Sequence, residues 1–167
     1  MTIQEICELL KSELLDNGYE YGFFLEGKKY KPNMDDGFDR EYFRLSTTIY
    51  RVQHPDVTMR EKIGTCVDAV LVMKTLLDQR KVPCIIWLLR HKQTHKAHTV
   101  LTFEAENKTV YLELTPQSGK TWYGHEIVYA KRQDFLDECE RNAFEVLDVT
   151  DAIAIEQQPD FLLEKLK

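Results

Sequence analysis

Apolar residues recur at helical spacing at Ile3, Ile6, Leu9, Leu10 and Leu14, and the Thr2 to Glu5 pair ahead of them has the pattern of a capping box. A first helix is therefore predicted over 3–16, stopped by Asn17-Gly18. From Tyr19 to Pro55 the periodicity fails. Aromatic residues (Tyr21, Phe23, Tyr30, Tyr42, Tyr50) are scattered among Gly, Pro and Asp, so the stretch reads as irregular with one short helix near 39–45. A loop of that length inside a compact chain is more often a lid or a binding surface than a spacer.

The clearest signal begins at Gly64. Thr65 is a good N-cap, Asp68 three residues on suits the positive end of a helix, and Val67 to Leu77 is apolar almost all round, which predicts a buried helix opening at Cys66 and ending near Asp78-Gln79. After Pro83 the run Cys84-Ile85-Ile86-Trp87-Leu88-Leu89 reads as an inner strand. Stretches 98–103 and 110–114 read as antiparallel strands joined by a four-residue loop at 104–107. If Phe103 pairs with Lys108, His98 falls opposite Glu113 and the two side chains share a face. A strand at 126–129, a helix at 133–141, a strand at 144–149 and a weak helix near 160–166 complete the expectation.

Composition narrows the classes. With 43% hydrophobic and 30% charged residues in 167, the chain suits one globular unit with a real core, and no repeat or linker divides it. A net charge of −6 argues against a general binder of nucleic acid or anionic membrane. There is no signal-peptide pattern and no run of about 18 apolar residues, so the expected location is cytoplasmic, with signal-less export left open. Four cysteines, Cys7, Cys66, Cys84 and Cys139, without a Cys-x-x-Cys pair fit a reducing compartment better than a disulfide scaffold.

Cysteine, histidine and carboxylate are the residues with chemistry to offer. A thiolate at Cys66, in the first turn of a helix, is stabilised by the helix dipole; His98 on a strand can take a thiol proton, and Glu113 can hold that imidazole in one orientation. Taken alone, each has an ordinary reading: a small buried hydrophobe, a strand-end histidine, a solvated strand glutamate. His91, His95 and His98 with Cys84 invite a zinc reading, but they lie on a loop running into a strand and lack metal-ligand spacing. Asp35, Asp36 and Asp39 resemble a calcium loop only in part, since its other ligand positions are missing. Neither pattern makes a metal site. The basic stretch Arg90, His91, Lys92, His95 and Lys96 either steers an acidic substrate or keeps a loop soluble.

The succession Ile63-Gly64-Thr65-Cys66-Val67-Asp68-Ala69, Leu76-Leu77, Val82-Pro83, His98-Thr99-Val100 and Tyr111-Leu112-Glu113-Leu114-Thr115-Pro116 resembles the core of the transglutaminase-like cysteine superfamily, and Gly124-His125-Glu126-Ile127 resembles the tail of its small bacterial members. The resemblance covers about residues 60–140, leaving 1–59 as an N-terminal helix and an aromatic-rich segment. It implies an α/β (α+β) papain-like fold, a central helix packed on an antiparallel sheet, with Cys66 as nucleophile, His98 as general base and Glu113 in the orienting position where this family more often has Asp. It also implies acyl transfer on a peptide or protein substrate with no cofactor: peptidase, amidase or deamidase if water resolves the thioester, transamidase if an amine does. The backbone N–H of Cys66 is the expected oxyanion donor, with Gln53 a candidate second donor and His125 a candidate partner of the site. Two other functions stay open: a catalytically silent peptide-binding module using 19–55, and an acyl transferase of the arylamine N-acetyltransferase kind.

Overall fold

In the computed structural model, which describes residues 1–33, 39–116 and 123–159, the central feature is a five-stranded sheet in which every neighbouring pair is antiparallel. Its strands are β5 (Cys84–His91), β6 (Ala97–Ala105), β7 (Lys108–Leu112), β8 (Glu126–Tyr129) and β9 (Phe144–Asp148), in the order β8-β7-β6-β5-β9. Two further pairs stand apart from it. β1 (Glu20–Tyr21) lies parallel to β4 (Ile63–Gly64), and β2 (Phe23–Leu25) forms a hairpin with β3 (Lys28–Tyr30). The described helices are α1 (Ile3–Glu13), α2 (Arg40–Thr48), α3 (Pro55–Glu61), α4 (Cys66–Gln79) and α5 (Arg132–Arg141). The fold is mixed α and β. No helix among the described residues is long and apolar enough to cross a membrane.

Both faces of the sheet are covered, which is why β5 and β6 read as continuous apolar runs rather than alternating ones. Ile86, Leu88, Leu101, Phe103, Val110 and Leu112 meet Val72, Met73, Leu76 and Leu77 of α4 and Ile6 and Leu10 of α1 in the largest core cluster. On the other face Trp87, Leu89 and Val100 pack with Phe135 and Cys139 of α5, and Trp87 Nε1 donates to Thr102 Oγ1 at 2.9 Å. A third cluster gathers Phe23, Tyr50, Val52 and Val67, flanked by Tyr30, Tyr42, Leu45 and Cys66. It joins the aromatic N-terminal segment to the start of α4.

Several expectations need correction. The first helix is shorter than 3–16, ending at Glu13 with Leu14 as its cap, although Thr2 Oγ1 does accept from Glu5 N at 3.1 Å. The described part of 19–55 is more regular than expected: besides the helix anticipated near 39–45, which is α2, it holds β1, β2 and β3, with α3 starting at its end, and Asp39 caps α2 by accepting from Tyr42 N at 2.9 Å. The β6–β7 turn has two residues, not four: Glu106 and Asn107 both take positive φ (53° and 59°), the backbone that a tight hairpin of right-handed twist requires. Phe103 consequently pairs with Val110, not Lys108, a shift of two residues. Because side chains alternate with period two, a shift of two leaves every residue on its expected face. Asp35, Asp36 and the helix expected near 160–166 lie outside the described residues.

Candidate functional site

Cys66 owes its position to a tightly bonded knot at the start of α4. Thr65 and Asp68 close a capping box, with Thr65 N donating to Asp68 Oδ2 at 2.8 Å and Asp68 N reaching Thr65 Oγ1 at 3.5 Å. The Asp68 carboxylate is completely buried and also accepts from Gln53 N at 2.8 Å and Tyr50 Oη at 2.9 Å. Burial raises the Asp68 pKa to about 6 while the hydrogen bonds from Thr65, Gln53 and Tyr50 hold it down. Tyr19 Oη donates to Thr65 O at 2.9 Å, and the strand leading in is fixed by pairing of Tyr21 with Gly64. The first residue of α4 is therefore clamped from three sides.

His98 is the second residue of β6, and Glu113 follows the end of β7. The corrected register puts Glu113 diagonal to His98 on the same face, and the glutamate's extra methylene spans the gap: His98 Nε2 lies 2.8 Å from Glu113 Oε2. Glu113 is 3% exposed and fully committed, since Oε2 also accepts from the Tyr111 hydroxyl and Oε1 from Thr115 N at 3.1 Å. Burial pushes its pKa up, but the His98, Tyr111 and Thr115 bonds outweigh that and leave it below the ordinary carboxylate range. The other side of the imidazole meets Cys66. Burial alone would lower the His98 pKa; hydrogen bonds with Cys66 and Glu113 and their negative charge raise it to about 10. With Nε2 held by Glu113, Nδ1 is the nitrogen left to face the Cys66 thiol.

The site thus brings together Cys66, His98 and Glu113. The remaining cysteines are held as thiols by burial, with pKa values raised to about 11 for Cys7, Cys84 and Cys139. All four cysteines are free, so Cys66 and Cys84 are not bridged. Gln53 is a correction. Its carboxamide Oε1 accepts from Phe24 N at 2.7 Å, and its two amide hydrogens go to Thr58 Oγ1 and Ile63 O, both at 2.9 Å. No donor is left for an oxyanion, and the residue ties the approach to β4 instead. His125 sits at the register position beside Glu113, where Gly124 N donates to Glu113 O at 2.8 Å, but its side chain is exposed. His91 Nδ1 accepts from Gln93 N and Thr94 N, both at 3.2 Å, and shapes the β5–β6 turn, while His98 is committed to the site.

Sequence reasoning missed the tyrosines around this centre. Tyr21 and Tyr42 both lie within electrostatic reach of Cys66, whose charge, after burial, contributes to raising their pKa values. Tyr111 and Tyr123 stand in the same relation to Glu113, Tyr111 through its hydrogen bond and Tyr123 through charge. For Tyr21 and Tyr42, distant from Cys66 in the chain, the only sign in the sequence was their density, whereas Tyr111, two residues before Glu113, shares its face by strand alternation. In sequence comparison no family model and no curated protein matches the chain.

Proposed function

We propose that the protein is a cysteine-dependent acyl-transfer enzyme of the transglutaminase-like, papain-fold class, acting on a peptide or carboxamide carbonyl in a peptide or protein substrate. The observation that carries this reading is the unbroken chain Cys66, His98, Glu113, in which a half-buried thiol at a helix N-terminus meets an imidazole anchored by a buried carboxylate. The antiparallel sheet with α4 packed on one face supports it, because that arrangement presents the first turn of α4 to the strand bearing His98.

In the proposed reaction the Cys66 Sγ attacks the carbonyl carbon, and the carbonyl π electrons move to oxygen. The oxyanion lies near the N-terminal N–H groups of α4, which have no partner within the helix. Collapse of the tetrahedral intermediate breaks the C–N bond, and His98 delivers its proton to the departing amine. Glu113 stays ionised throughout and steadies the imidazolium, as its lowered pKa favours. Water then adds to the thioester carbonyl as His98 takes one of its protons, and collapse of this second intermediate breaks the C–S bond, releasing the acid and returning the sulfur of Cys66 beside the imidazolium. Cys66 and His98 are both partly exposed, so water can reach the thioester, and hydrolysis is favoured over transfer to an amine.

The test is to trap the acyl-enzyme. The native protein is mixed with p-nitrophenyl acetate, quenched in acid and mapped by peptide mass spectrometry. An acetyl group on Cys66 that Cys66→Ser removes is the expected result. Acetylation spread over lysines, or equal on Cys84 and Cys66, would refute nucleophilic catalysis and return the chain to the peptide-binding reading.

A further inference from the structure

The proposed chemistry needs a donor opposite the helix N-terminus, and Gln53 does not provide one, because both of its amide hydrogens are bonded to Thr58 and Ile63. A different group is placed for it. The Tyr42 hydroxyl oxygen is buried, yet among the described residues it completes no hydrogen bond of ordinary geometry. A buried hydroxyl in that state is unusual, since leaving one unsatisfied costs about 1–3 kcal/mol. The Tyr21 hydroxyl leans toward it as a donor at longer range, the two rings tilted at 56° with centroids 6.1 Å apart.

The fold holds this hydroxyl in place from several sides. Tyr42 and Leu45 of α2, with its cap residue Ile49, pack on the cluster of Phe23, Tyr50, Val52 and Val67, the cluster that Cys66 also flanks. Phe23 sits 5.9 Å from the Tyr42 ring and 5.4 Å from that of Tyr50, whose own hydroxyl is bonded to Asp68 in the knot at the start of α4. Tyr21 reaches the site from β1, opposite Gly64 and two residues short of Cys66. Among the charged groups that act on the Tyr42 phenol, Cys66 is the strongest and Asp68 the next. The hydroxyl is thus a rigidly mounted group on the cluster that Cys66 also flanks, and since Tyr21 is the donor toward it, its own hydrogen is left for another acceptor.

We propose that Tyr42 is a catalytic residue whose hydroxyl donates to the oxyanion formed when Cys66 attacks a carbonyl. This rests on the acyl-transfer reading and names the side-chain donor it lacks. As Sγ bonds to carbon, the carbonyl pair moves to oxygen, and that oxygen accepts from Tyr42 Oη–H without taking the proton. When the intermediate collapses, the C=O bond re-forms, the leaving group departs with its bonding pair, and the Tyr42 hydroxyl is released from the oxygen. Tyr21 positions the Tyr42 ring and does not touch the reacting atoms.

Two reagents separate the parts of this claim. Iodoacetamide alkylates sulfur by displacement of iodide and forms no oxyanion, whereas p-nitrophenyl acetate must pass through one. In Tyr42→Phe, which keeps the ring, alkylation of Cys66 is expected at the wild-type rate, while release of p-nitrophenolate slows about a hundredfold. Tyr21→Phe is expected to slow it far less. Equal acylation rates for Tyr42→Phe and wild type, with alkylation preserved, would overturn the assignment and leave the acyl-transfer reading standing. A large loss confined to Tyr21→Phe would likewise overturn it. Parallel loss of alkylation and acylation in Tyr42→Phe would show a structural role only. Slow alkylation of Cys66 in the wild type would sink both readings together.

Discussion

Gly64 is the position where packing, rather than backbone conformation, demands glycine. Its φ lies outside the left-handed region, but a Cβ added there would come within 2.7 Å of Asp68 Cβ, 2.7 Å of Tyr19 Oη and 3.1 Å of Thr58 Cγ2. None of these can retreat freely: Asp68 and Thr58 are fully buried, and Tyr19 is 6% exposed and bonded to Thr65 O. Gly64→Ala therefore combines overpacking, worth about 1–3 kcal/mol, with displacement of the Tyr19 hydroxyl from its acceptor, worth about 1–3 kcal/mol more. A total destabilisation of about 2–6 kcal/mol is expected in urea unfolding at constant m value. Tyr19→Phe alone should cost about 1–2 kcal/mol, and because it deletes one of the clashing atoms, the double variant should be less destabilised than the sum by about 1 kcal/mol. The displaced helix start also moves Cys66 relative to His98, so its alkylation should slow. A Gly64→Ala protein within about 1 kcal/mol of wild type, or a strictly additive cycle, would refute the packing argument.

Asp68→Ala strands the Thr65 and Gln53 amides and the Tyr50 hydroxyl and should cost about 3–5 kcal/mol in the same assay, with a loss below about 1 kcal/mol counting against the knot. Since burial raises the Asp68 pKa to about 6, its favourable contribution is complete below the ordinary value of 3.8 and falls as pH rises through 6; the wild-type advantage over Asp68→Ala should accordingly shrink between pH 4 and pH 7. Glu113→Gln removes the charge that helps hold the proton on His98, a charge-assisted bond worth about 1.5–3 kcal/mol, so the alkaline limb of the Cys66 reactivity profile should move down by about one to two pH units. With the wild-type His98 pKa raised to about 10, the imidazolium contribution is whole below pH 6.5 and is lost as pH rises through 10. An unshifted limb in Glu113→Gln would mean that the carboxylate does not act on the imidazole.

The legible parts of the chain were those with strong local signals. Thr65 and Asp68 announced the start of α4, and the apolar runs announced β5 and β6 because burial on both faces leaves no room for polar alternation. The hairpin register came out two residues off, since Glu106 is an unusual residue for positive φ and only Asn107 hinted at a tight turn. Parity preserved the pairing that matters, His98 with Glu113. Between the two N-terminal helices, both expected, the strands were illegible for a physical reason: they are two or three residues long, and β1 is stabilised by β4 some forty positions away, so no window of sequence contains the pattern. Gln53 misled for the same reason. Its amide is an attractive donor until Thr58 and Ile63 are seen to occupy it.

The most direct test of an activated cysteine is site-resolved alkylation of the native protein by iodoacetamide at pH 6 and pH 8, read by peptide mass spectrometry, with His98→Ala beside the wild type. Rapid labelling of Cys66 at pH 6 that His98→Ala abolishes is the expected result, with Cys7, Cys84 and Cys139 slow at both pH values because burial holds them as thiols. Labelling of Cys66 no faster than that of Cys7 or Cys139, and indifferent to His98, would contradict an acyl-transfer enzyme at this site.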